Sequence, residues 1–135
     1  MVLAVSETEL QALLSQASFL RGYGFRVHSI ADGECTLAIP FREDLERPGG
    51  IVNGQIMMAA ADVAMWFAIM TRLGGNDGSV TAEMKTNFLS PARKEDFLCH
   101  AKILKFGKRL IYGAAECAGS DGRLLAHHTV TYIRP

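Results

Sequence analysis

Residues 53–72 constrain this chain more than any other stretch. They contain no proline and no glycine beyond Gly54, and they are rich in Ala and Met, so they read as one long helix. The helix is apolar on nearly every side, and such a helix has to be enclosed by other elements. Residues 51–70 approach membrane-spanning length but carry Asn53, Gln55 and Asp62. An Asp in mid-span costs about 2.5–3.5 kcal/mol even on a lenient insertion scale, so the segment reads as a helix buried in protein. Gly74, Gly75, Asn76, Asp77 and Gly78 stop it.

The elements around that helix are short. Ser6 stands three residues before Glu9, a capping box that opens a helix with Leu10, Leu13, Leu14 and Ala17 at helical spacing. Gly22 and Gly24 are expected to end it. Strand-like runs over 25–30 and 34–41 flank Asp32-Gly33, a type I′ hairpin signal. A charged stretch, 42–47, leads into the loop Pro48-Gly49-Gly50.

Beyond the long helix the pattern is β. Val80, Ala82, Met84 and Phe88 alternate with Thr81, Glu83, Lys85 and Asn87. Runs over 97–106, 109–118 and 124–133 follow, joined by turns at Gly107-Lys108 and Ser120-Asp121-Gly122. The expected layout is a hairpin, a buried helix and a four-strand antiparallel meander. Six strands cover an all-apolar helix only by curling round it. The predicted class is therefore α+β, a curved antiparallel sheet wrapped on one central helix.

At 135 residues the chain is one domain's worth, and 1–135 is read as a single domain. Fourteen basic and fourteen acidic residues leave a formal net charge of zero. That excludes a dedicated nucleic-acid or anionic-membrane binder, which needs sustained positive charge, and leaves self-association open. Cys35, Cys99 and Cys117 form no C-x-x-C pair and sit in apolar stretches, as reduced buried thiols of a cytoplasmic protein would. Residues 1–9 lack the pattern of a signal peptide. His28, His100, His127 and His128 lack metal-ligand spacing, and neither metal nor cofactor is expected.

Chemistry points to Asp62, the only ionisable side chain between Arg47 and Arg72. A carboxylate on a buried helix is costly unless it is hydrogen-bonded or faces a cavity. Pairing with a basic residue elsewhere, or capping a loop, is one explanation; a catalytic carboxylate is the other. Gln55 lies seven residues earlier on the same helix face. Asn53-Gly54 falls at the helix start, where free N–H groups suit an oxyanion and glycine permits close approach. Ordinary helix-start punctuation would account for the same pair. A carboxylate together with backbone donors is the minimum for acyl transfer.

The run Gly50-Ile51-Val52-Asn53-Gly54-Gln55-Ile56-Met57-Met58-Ala59-Ala60-Ala61-Asp62 resembles the H-G-G-x(6)-D signature of hot-dog-fold acyl-CoA thioesterases of the phenylacetate-degradation (PaaI-like) group. Thr81-Ala82-Glu83-Met84-Lys85-Thr86-Asn87-Phe88-Leu89-Ser90-Pro91-Ala92 is similar to that group's T-x-E-L-x-I-N-F-L-R-P-A strand, and the likeness extends over roughly 20–134. The resemblance implies that Asp62 is the nucleophile or general base, that the Gly54 N–H polarises the thioester carbonyl, and that Thr81 orients water or carboxylate. Asn53 replaces the family His, Gln55 the second Gly, and Arg47 an Asn of some members, which makes these three the substrate-binding candidates. It also implies an acyl-CoA substrate and a homodimer with a continuous sheet, often pairing again into tetramers. Gly54 and Asp62 would then reach one site from different chains.

Overall fold

The structure, a computed structural model, describes residues 2–75 and 78–135. It opens with helix α1, Glu7–Gln16, whose capping box is formed as expected: the Ser6 hydroxyl accepts from the Glu9 N–H, and the Glu9 carboxylate accepts from the Ser6 N–H. The helix ends well before Gly22. Ala17 is already extended, and residues 17–24 run as turns that seat Leu20 in the core at 1% exposure.

Strands β1, Arg26–Ala31, and β2, Glu34–Ile39, form the expected hairpin. Its turn is not type I′, which needs positive φ at both central residues; only Gly33 has it, at +72°. Tertiary contacts decide this turn. The Gly33 N–H donates to Thr71 Oγ1 at 2.9 Å, and Arg72 pairs with Asp32 at 3.0 Å, so the end of the long helix grips the loop.

A short hairpin, β3 (Glu46–Arg47) and β4 (Ile51–Val52), leads into helix α2, Gly54–Leu73. Gly74 stops the helix with φ +81° and ψ −175°, a backbone conformation essentially confined to glycine. Asn76 and Asp77, part of the expected stop signal, lie outside the described residues. By length and composition α2 could cross a membrane, yet 67% of its most apolar window is buried inside the protein, as the sequence reading required.

Strands β5 (Val80–Phe88), β6 (Phe97–Phe106), β7 (Leu110–Gly119) and β8 (Leu124–Ile133) complete one six-stranded antiparallel sheet in the order β1-β2-β6-β7-β8-β5. The expected four-strand meander holds only for β6, β7 and β8, whose tight connections make them neighbours. β5 pairs with β8 at the far edge, because the place beside β6 is taken by β2, in register from Glu34↔Lys102 to Ile39↔Phe97.

The sheet curls over α2, and Met65, Phe67 and Ile69 of the helix share one buried core with Leu37, Ile39, Ile111, Leu125 and Val130 of the strands. Gly113 of β7 makes this approach possible: a Cβ there would lie 2.6 Å from the Lys102 carbonyl and press on Met65. Gly113→Ala should therefore cost about 1–3 kcal/mol through overpacking, read as a lower urea midpoint. An unchanged midpoint would contradict this account of the helix–sheet contact.

Candidate active site

Asp62 sits midway along α2 and is half-buried. Its Oδ1 accepts from Thr81 Oγ1 at 2.7 Å and from the Tyr132 hydroxyl at 2.8 Å. The same phenol lies 3.0 Å from the Asp62 backbone carbonyl. Among the described residues no Lys, Arg or His pairs with it, so the ion-pair explanation drops away. Two neutral hydroxyls hold an anion whose other oxygen, Oδ2, has no donor among those residues.

The placement of Thr81 departs from the strand pattern. Strict alternation puts Thr81 with Glu83, Lys85 and Asn87, on the face opposite Met84. In the structure Thr81 pairs with Tyr132 and Met84 with Val130, and residues 130 and 132 share the inner face. Thr81 and Met84, three residues apart, therefore also share it. The pairing shifts between Thr81 and Glu83, a bulge that takes up Ala82 as the extra residue. Bulges re-aim side chains in this way, and here the result is the Thr81–Asp62 hydrogen bond.

Tyr132 went unremarked in the sequence, although a signal existed. Alternation along β8 puts Ala126, His128, Val130 and Tyr132 on one face, and a buried phenol needs a partner for its hydroxyl. Asp62 is the acceptor the fold brings to it.

The start of α2 forms a second locus. Asn53 is its N-cap, and Asn53 Oδ1 accepts from the Gln55 N–H at 2.8 Å while Nδ2 reaches Gln55 Oε1 at 3.5 Å. The cap thus occupies the Gln55 amide, and the Gly54 N–H is left without an acceptor among the described residues. Gly54 opens on a cleft of about 450 Å³ lined by Ile51, Val52, Met57, Phe88 and Leu89 among others, with Arg47 on its wall. A Cβ on Gly54 would lie 3.0 Å from the Phe88 ring. Arg47 is exposed and makes no ion pair among the described residues. Neither Asn53 nor Gln55 lines the cleft.

Within one chain the two loci stay apart. Gly54 and Asp62 are eight residues apart on α2, about 12 Å of rise. The helix's open stripe runs from one locus to a turn past the other: Gln55 exposed, Met58 39% exposed, and Ala59, Asp62 and Trp66 half-buried. It faces the inner side of edge strand β5, where Thr81 and Phe88 are exposed, the latter at 55%.

The other nucleophiles lie elsewhere. All three cysteines are buried, as expected, and burial pushes the Cys35 thiol up to about 12. Cys117 contacts the fully buried His128, whose Nδ1 hydrogen-bonds Thr86. Among the described residues no cluster of His, Cys, Asp or Glu is placed to hold a metal.

A curved antiparallel sheet closed on one long helix, with a carboxylate midway along it, is the hot-dog architecture. Residues 49–126 match the sequence model of the Thioesterase superfamily. A protein of Saccharolobus solfataricus that carries a provisional esterase name is 31% identical over 96% of this chain and 85% of its own length. Among solved structures, zebra fish Thioesterase Superfamily Member 2 superposes with TM-score 0.88 at 23% identity, covering 100% of this chain and 99% of that one. A mutant of the phenylacetic acid degradation protein PaaI from Thermus thermophilus superposes with TM-score 0.78 at 24% identity, over 87% and 98%. These two likenesses carry the fold; the sequence matches carry the family. The chain belongs to the thioesterase superfamily.

Proposed function

We propose that this protein hydrolyses acyl-CoA thioesters with small or medium, aliphatic or aromatic acyl groups, releasing the free acid and CoA. One observation carries the reading: a lone helix carboxylate, held by two hydroxyls and neutralised by no cation among the described residues. The chemistry suits so sparse a site. A thiolate whose conjugate acid has a pKa of about 8.5 leaves with little acid assistance, so a carboxylate and an oxyanion donor suffice.

Asp62 either takes a proton from the attacking water or attacks the carbonyl carbon itself. The Gly54 N–H receives the developing oxyanion. The C–S bond then breaks, and the thiolate leaves to be protonated; where Asp62 is the nucleophile, water then hydrolyses the acyl–Asp62 anhydride, releasing the acid and restoring the carboxylate. Thiol release over a panel of acyl-CoA esters tests the reading; no turnover on any of them would overturn it. Asn53 in the family's His position gives weight to one other reading, an acyl-CoA-binding protein without catalysis. Calorimetric binding with the thioester intact after hours would establish that instead.

The working unit in this reading is a homodimer joined through β5. Among the described residues that strand pairs only with β8, and its other edge would let the sheet continue into a second copy. The partner would also cover the open stripe of α2 and bring its own Asp62 towards Gly54.

Arg47, on the cleft wall and without an ion pair among the described residues, would meet a carboxylate or phosphate of the substrate. Arg47→Ala should raise KM about tenfold with kcat little changed, the pattern of lost ground-state binding. An unchanged KM across the panel would remove Arg47 from the site.

A further inference from the structure

We infer that Tyr132 is a positioning residue for catalysis, acting with Thr81 to fix the Asp62 carboxylate so that Oδ2 alone meets the reacting atoms. The inference rests on the thioesterase reading of Asp62. Its ground is the convergence of both hydroxyls on one oxygen: Thr81 at 2.7 Å and Tyr132 at 2.8 Å, each on Oδ1.

A carboxylate oxygen offers about two acceptor sites, so two donors satisfy Oδ1. Oδ2 has none among the described residues. The two oxygens of a free carboxylate are equivalent by rotation; here they are not. The phenol also reaches the backbone carbonyl of Asp62 at 3.0 Å, so it spans main chain and side chain of the same residue and holds the rotamer between them.

Tyr132 is suited to this task. The residue is 4% exposed on the sheet's inner face, and the strand pairs it directly with Thr81 on one side and Ile111 on the other. A buried, two-torsion side chain on a central strand holds its hydroxyl more rigidly than the Thr81 rotor on the edge strand can. Thr81 alone would leave the carboxylate free to swing about one hydrogen bond.

Tyr132→Phe keeps the ring and removes only the donor. Its kcat on the best acyl-CoA of the panel should fall about 10- to 100-fold, the loss expected for one hydrogen bond to a charged group, while KM changes less than about twofold. The melting temperature should stay close to that of the parent protein. In an Asp62→Asn background the same change should lower the residual rate no further, because the group it positions is already gone. A purely structural role would lower it in both backgrounds.

If Asp62→Asn is inactive and Tyr132→Phe keeps full kcat, the positioning role is wrong and the thioesterase reading stands. If Asp62→Asn retains full activity, the catalytic reading of Asp62 fails and this inference with it. Should Tyr132→Phe not fold, a ring-fluorinated tyrosine at position 132 keeps the shape and the hydrogen bond but ionises at lower pH. The alkaline fall of kcat should then begin at lower pH than in the parent, and an unmoved profile would overturn the inference.

Discussion

Asp62→Asn should reduce turnover of acyl-CoA by about 10²- to 10⁴-fold, the usual worth of a general base, and leave the fold intact. The asparagine carbonyl can occupy the place of Oδ1 and still accept from Thr81 and Tyr132, so neither hydroxyl is orphaned. The lost charge removes a desolvation penalty and weakens two charge-assisted hydrogen bonds, effects of opposite sign. Stability should therefore hold within about 1 kcal/mol, measured by urea unfolding. Calorimetry should find acyl-CoA still bound. A variant that unfolds would make Asp62 a structural residue; one that turns over normally would place catalysis elsewhere.

Mixing two inactive chains should restore activity. Gly54→Val puts a branched side chain where even a Cβ would lie 3.0 Å from the Phe88 ring, displacing that ring and crowding the N–H donor. The variant should be inactive alone, as should Asp62→Asn. If each site takes Gly54 from one subunit and Asp62 from its partner, a heterodimer of the two variants has one intact site and one with both lesions. Equal mixing, denaturation and refolding should then return about a quarter of the parent activity, since half the dimers are mixed and each carries one working site. No recovery despite demonstrated subunit exchange would mean that each site lies within one chain. The roughly 12 Å separating the two residues along α2 would then exclude one of them from it.

Much of this architecture is legible in the sequence, and for simple reasons. Residues 53–72 are apolar on nearly every side, so the central helix and its enclosure by a curled sheet follow from burial alone. Asp62 stands out because it is the only charge on that helix before Arg72 in the last turn. Gly54 stands out because it follows the N-cap, and both are local signals. Turn residues at 107–108 and 120–122 make β6, β7 and β8 neighbours, which is again local. The position of β5 is not: whether it lies beside β6 or β8 depends on β2 having taken the place next to β6, a pairing between strands some sixty residues apart.

The site itself divides along the same line. The sequence alone determined the long helix, the carboxylate at its middle and the capped start, because each depends on residues within a turn or two of one another. Only the tertiary structure decided how that carboxylate is held. Period-two alternation turns Thr81 away from Asp62; the bulge at Ala82 turns it back, and a bulge is set by how β5 registers on β8 rather than by the residues of β5 themselves. Tyr132 reaches Asp62 from seventy residues away for the same reason. Hydrogen bonds across a sheet are fixed by register, and register belongs to pairs of strands, so no single segment of the chain encodes it.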